Sequence, residues 1–85
     1  MLQCQISLYP IAADNYREII NESILSLEKL NISYTLTSTC TILKGEDNVV
    51  FEAVRIFFEN VKKIHRENVL VAIYSNISGK WTDQP

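Results

Sequence analysis

Three features of this sequence predict a single α+β domain with the element order β-α-β-β-α-β. Leu2, Cys4, Ile6 and Leu8 alternate with Gln3, Gln5, Ser7 and Tyr9, the period of a half-buried strand. Two later stretches repeat apolar residues at helical spacing. Between and after them lie short runs rich in β-branched residues, which suit strands.

The first strand has one apolar face and one face of amide, hydroxyl and phenol groups. Pro10 lacks a backbone donor, so the strand should stop at Tyr9 and leave that ring at the sheet's end. Residues 11–14 form a loop. Asn15 and Glu18 then match a capping box. Tyr16, Ile19, Ile20, Ile24, Leu27 and Leu30 follow as a helical stripe, with Asn31 suited to the C-terminal cap. Residues 33–37 and 41–44 read as a hairpin joined by Ser38-Thr39-Cys40, without the Asn-Gly or Asp-Gly signal that specifies a tight turn. Asp47 or Asn48 can cap the second helix, whose stripe is Val50, Val54, Phe57, Val61 and Ile64, with Ala53 and Phe58 beside it and Phe51 widening it. Residues 68–75 form the last strand, with Val69, Val71 and Ile73 expected toward the core and Leu70, Ala72 and Tyr74 on the other face. Right-handed crossovers put both helices on one side of a four-stranded antiparallel sheet, the ferredoxin-like arrangement. The expected core takes in Leu2, Cys4, Ile6, Leu8, Ile20, Leu27, Val54, Phe57, Val61, Val71 and Ile73. The helix-free sheet face, part polar and part apolar, favours self-association or ligand burial.

Eighty-five residues make one domain. Residues 1–79 are expected to form a ligand-binding domain and 80–85 a short C-terminal tail. A hydrophobic share of 47% with 21% charged residues is that of an ordinary soluble globular protein. No apolar run approaches the ~20 residues that span a bilayer, and nothing at the start resembles a signal peptide, so a cytoplasmic location without membrane insertion is expected. Net charge is −2 and the one basic cluster, Lys62, Lys63 and Arg66, sits at a helix end that favours cations. Nucleic-acid binding has little electrostatic support. Cys4 and Cys40 show neither CxxC nor metal-ligand spacing. They read as reduced thiols, and no cofactor or metal is expected. His65 is expected to be solvated.

Ile6-Ser7-Leu8-Tyr9-Pro10, Thr41-Ile42-Leu43-Lys44-Gly45, Val50-Phe51-Glu52-Ala53 and the stretch 74–79 resemble the YkoF-like family of thiamine- and hydroxymethylpyrimidine-binding proteins. The likeness covers nearly the whole chain in the same order. It implies a ferredoxin-like domain that binds the pyrimidine part of thiamine without transforming it and serves vitamin salvage or uptake. It also implies assembly through the sheets into dimers or tetramers. The namesake pattern resembles two such domains in tandem whereas this chain carries one, so a homodimer could restore the pair.

The residues suit that ligand. An aminopyrimidine presents ring nitrogens that accept and an exocyclic amine that donates. Gln5 offers both functions, and the hydroxyls of Ser7, Ser38, Thr39 and Thr41 can do either. Tyr9 can stack on the ring or attract the cationic thiazolium. Each has a plainer reading: Gln5 and Ser7 as polar groups at an oligomer interface, Thr41 as a good strand former, Tyr74 as interface packing, Trp81 as an anchor on a partner subunit, Asp47 as a helix cap or a counter-ion. An enzyme is the first rival, because small acylphosphatases share the fold class. Their chemistry needs a Gly-rich loop with an Arg to hold phosphate, and here the loop is Pro10-Ile11-Ala12-Ala13-Asp14. The expectation is binding without catalysis. The second rival, a regulatory or structural module that oligomerises through its sheet, stays open at this level.

Overall fold

The six expected segments form the six elements of the fold. The computed structural model describes residues 1–76. They run β1 (Leu2–Pro10), α1 (Tyr16–Glu28), β2 (Ser33–Leu36), β3 (Thr41–Gly45), α2 (Asp47–Ile64) and β4 (Asn68–Asn76). Residues 77–79 of the expected domain, the tail 80–85 and the anchor role read for Trp81 lie outside the described residues. The strands form one sheet in the order β2-β3-β1-β4, with every neighbouring pair antiparallel. Each helix therefore crosses over an intervening strand, as the ferredoxin-like arrangement requires. Strand β1 continues through Pro10, which pairs with Asn68. On its other side β1 pairs with β3 only as far as Ile6, so at Pro10, the strand's last residue, one flank is an edge and a proline is tolerated there.

Pairing with β1 decides which way β4 faces. Cys4, Ile6 and Leu8 stand opposite Tyr74, Ala72 and Leu70, while Gln5, Ser7 and Tyr9 stand opposite Ile73, Val71 and Val69. Directly opposed residues share a face, so Leu70, Ala72 and Tyr74 lie under the helices. The expectation for this strand is reversed: Val69, Val71 and Ile73 are 47%, 43% and 53% exposed on the open face. Both sides of β4 are apolar, so alternation alone could not orient it, and a one-residue shift in register exchanges the two sides.

The core lies between the covered face and the helices. Leu2, Cys4, Ile6, Leu27, Leu43, Val50, Val54, Phe57 and Val61 are buried in one cluster. Leu8 is only half-buried against it, and Ile20 gives way to Ile19 as the buried residue of the first helical turns. Ser23 is fully buried at the middle of the α1 stripe. Its hydroxyl donates to the Ile19 carbonyl at 2.7 Å, which satisfies the polar group within the helix. Tyr74 packs against Phe51 with ring centroids 5.0 Å apart, rather than against a partner on the open face.

The helix ends depart from the expected caps. Asn15 is the N-cap of α1, but its side chain makes no capping bond; its carbonyl accepts from the Glu18 and Ile19 amides at 3.0 and 3.2 Å. At ψ 40° Asn15 lies outside the extended backbone from which a capping side chain reaches inward. At the other end Lys29 is the cap residue, and Asn31 reverses the chain two residues later at φ 56°, a conformation asparagine tolerates. Glu46, not Asp47 or Asn48, is the N-cap of α2, again through main chain. Asp47 falls in the first turn, where its carboxylate complements the helix dipole.

Candidate functional site

The hairpin between β2 and β3 turns without glycine because Thr37 supplies the missing order. Its hydroxyl donates to the Cys40 carbonyl and accepts from the Cys40 amide, both at 3.0 Å. The Thr37 amide also donates to the Cys40 carbonyl at 2.9 Å. A hydroxyl that closes a turn in this way stands in for a backbone reversal, and it presents Ser38 and Thr39 at the tip. Ser7, on β1, donates from Oγ to the Thr39 carbonyl at 3.4 Å, which holds the tip to the centre of the sheet.

Two adjoining recesses open at this end of the sheet, between the hairpin tip, the end of β1 and the start of α1. The smaller, about 200 Å³, has Ser7, Ser38, Thr39 and Thr41 on one side and aliphatic or aromatic walls from Ile20, Ile24 and Phe57. The larger, about 790 Å³, is bordered by Tyr9, Asp14, Tyr16, Ser38 and Thr39. Leu8, Ile20, Ser38 and Thr39 line both. Apolar walls with a few polar groups are the usual make-up of a small-molecule site.

Five of the six residues picked out in the sequence thus come together: Ser7, Tyr9, Ser38, Thr39 and Thr41. Thr41 is buried at 6% exposure, on the covered face opposite Ile6. Gln5 does not join them. It is exposed on the open face, between Ile42 and Ile73. Asp47, at the start of α2, is not among the lining residues either, and the carboxylate that does border the larger recess is Asp14. Thr37, Asp14 and Tyr16 were missed in the sequence. For Thr37 the signal was a hydroxyl at the first position of a four-residue Thr-Ser-Thr-Cys turn. Asp14 and Tyr16 had none, because their role depends on how the loop lies beside the hairpin.

That loop is held from the far side. The Ile11 amide donates to the Glu67 carbonyl at 2.9 Å. His65, expected to be solvated, donates from Nε2 to the Ile11 carbonyl at 2.8 Å. Next to these bonds Ala12 adopts φ 55°, a left-handed conformation that costs an alanine roughly 1–2 kcal/mol. A residue so strained persists where its surroundings over-determine it. The bonds at Ile11 and the start of α1 after Asn15 supply that restraint.

The perturbed thiol lies elsewhere. Burial pushes the Cys4 thiol up to about 11, against smaller opposing effects from Ile73 backbone and the Tyr74 hydroxyl. Burial likewise raises the Tyr74 phenol, with Cys4 adding to it. Cys4 and Cys40 are both free, Cys4 in the core and Cys40 half-buried at the hairpin. Among the described residues no group of His, Cys, Asp and Glu has the arrangement of a metal site, and no helix is long and apolar enough to cross a membrane.

The profile of the YKOF-related family matches residues 1–79. No curated protein is significantly similar in sequence. Among solved structures, a protein from Streptococcus pneumoniae superposes with a TM-score of 0.87 at 14% identity, over 96% of this chain and 92% of its own. A proposed thiamine biosynthesis/salvage protein from Thermotoga maritima gives 0.81 at 17% identity, over 95% and 92%. A hypothetical protein from Methanocaldococcus jannascii gives 0.80 at 13%, over 91% and 80%. At these identities the likeness is one of fold.

Proposed function

The chain belongs to the YKOF-related family, and from that premise we propose that it binds thiamine, or the hydroxymethylpyrimidine part of thiamine, reversibly and without transforming it. The observation that carries this reading is the meeting of Ser7, Tyr9, Ser38, Thr39 and Thr41 around the two recesses. A flat aminopyrimidine needs apolar walls against its faces and neutral donors and acceptors at its edge. Ile20, Ile24 and Phe57 provide such walls beside the hydroxyls of Ser38, Thr39 and Thr41. The proposed role in thiamine biosynthesis or salvage of the similarly folded Thermotoga maritima protein supports the same ligand class. Such a protein would carry or buffer the vitamin for salvage or uptake.

Assembly is part of the proposal. Val69, Val71 and Ile73 form an exposed aliphatic row along β4, beside Tyr9, Ser7 and Gln5 of β1. A second copy covering this row would remove apolar surface from water at about 25 cal/mol per Å². Light scattering at micromolar concentration should then report at least a dimer; a monomer would remove this part of the proposal.

Thermal unfolding with thiamine, hydroxymethylpyrimidine and a set of amino acids tests the ligand. A ligand at 100 times its dissociation constant should add about 2.7 kcal/mol of stability. Stabilisation by thiamine or the pyrimidine is the expected result. Stabilisation by an amino acid alone, or by nothing in the set, would favour the interaction module instead.

A further inference from the structure

Asp14 is the one charged side chain among the described residues that line the two recesses. It borders the larger recess together with Tyr9 and Tyr16, residues that are 56% and 48% exposed. Tyr16 already attracts a cation: the Arg17 guanidinium carbon stands 6.0 Å from its ring centroid. Arg17 Nε also donates to the Tyr16 hydroxyl at 3.4 Å.

From this arrangement we propose that the larger recess is a subsite for a flat organic cation, which selects the intact, thiazolium-bearing vitamin over its neutral pyrimidine half. The inference rests on the vitamin-binding reading above and deepens it. A thiazolium nitrogen carries a permanent charge and has no proton to donate. Hydrogen bonds cannot recognise it, so recognition falls to a carboxylate and to aromatic faces, whose quadrupoles attract cations. The smaller recess, with neutral hydroxyls and no charged side chain among its described lining residues, gives no such preference. The division of the site therefore follows the division of the ligand, one neutral ring and one charged ring. Arg17 acts against the cation, because it shares the Tyr16 ring and carries like charge.

Calorimetric titration of the full chain with thiamine and with hydroxymethylpyrimidine, at low and at physiological salt, tests this in wild type, Asp14→Asn and Arg17→Gln. Wild type should prefer thiamine. Asp14→Asn should weaken thiamine about two- to fivefold, the range for an exposed charge pair, and leave the pyrimidine unchanged. Arg17→Gln should shift thiamine the opposite way. Added salt should weaken thiamine more than the pyrimidine, and less so in Asp14→Asn. If wild type holds both ligands equally, or if Asp14→Asn changes both alike, the cation subsite is wrong while vitamin binding stands. If neither ligand binds, an N-methylated thiazolium and its neutral parent thiazole serve as NMR probes. Shifts at Tyr9 and Tyr16 with the cation only would keep the subsite and discard the vitamin. No shift with either probe would overturn both.

Discussion

The hairpin end of the sheet and its open face are both accessible to solvent, yet they differ in shape and in chemistry. The hairpin end is concave, with hydroxyls, two tyrosines and Asp14 set against apolar walls. The open face is a sheet surface on which Gln5, Ser7 and Tyr9 run beside Ile73, Val71 and Val69. Concavity lets a few polar groups surround one small ring. A sheet face instead offers area, which suits a large and complementary surface such as a second copy. The two regions share strand β1: Ser7 and Tyr9, toward its far end, stand on the open face and also border the recesses, whereas Gln5 lies on the face away from them.

Substitutions can separate these regions. The largest effect is expected at Phe57, which is buried in the core and also lines the smaller recess. Phe57→Ala should cost about 3–5 kcal/mol in urea unfolding and weaken ligand binding by the protein that remains folded. A near-neutral effect would mean that α2 does not pack as described. Next is Val71→Lys on the open face. A symmetric interface would carry the charge twice and lose two buried valines, about 3 kcal/mol or more than 100-fold in association. Sedimentation should show monomers whose ligand affinity is unchanged. Loss of both properties together would mean that the recess depends on the dimer.

Alkaline pH probes the covered face between them. The folded-state values of Cys4 and Tyr74 are both raised, Cys4 from 9.0 to about 11. Their contribution to stability is complete below the unfolded values and is lost as pH rises from about 9 through 11. The urea midpoint should therefore fall between pH 8 and pH 10.5, and a flat profile would contradict the burial of Cys4. The smallest effect is expected at the exposed Glu52–Arg55 pair on α2, joined at 3.1 Å. Glu52→Gln should leave the thermal midpoint essentially unmoved, as exposed pairs do.

How much of this was legible in the sequence follows from which signals are local. Order and type of the elements were, because alternation in β1 and the helical stripes of Leu27 and of Val50, Val54, Phe57 and Val61 are properties of short windows. The orientation of β4 was not. Its two faces are equally apolar, and only the partner across the ladder, Cys4 for Tyr74 and Gln5 for Ile73, distinguishes them. The caps differ for a related reason: Asn15 is the N-cap the sequence predicts but its side chain makes no capping bond, and the α2 cap falls at Glu46, one residue before Asp47, because the backbone angles that bring a capping side chain into play are set by the adjoining loops. In the site, hydroxyls next to a turn and an aromatic at a strand end were visible as Ser38, Thr39, Thr41 and Tyr9. Gln5 was included on its chemistry and fell outside on its geometry, since two residues along a strand move a side chain about 7 Å.

Under the proposed function the contrast between recess and face comes down to which of them holds thiamine, and one calorimetric series measures that directly. Thiamine should bind wild type. Thr41→Val and Ser38→Ala, at the recess, should each weaken it by about 1–3 kcal/mol where the lost partner leaves a ligand atom desolvated. Gln5→Ala, on the open face, should leave it unchanged, with each variant first shown to be folded. Weakening by Gln5→Ala with none from Thr41→Val or Ser38→Ala would put the ligand on the sheet face, contrary to the site described.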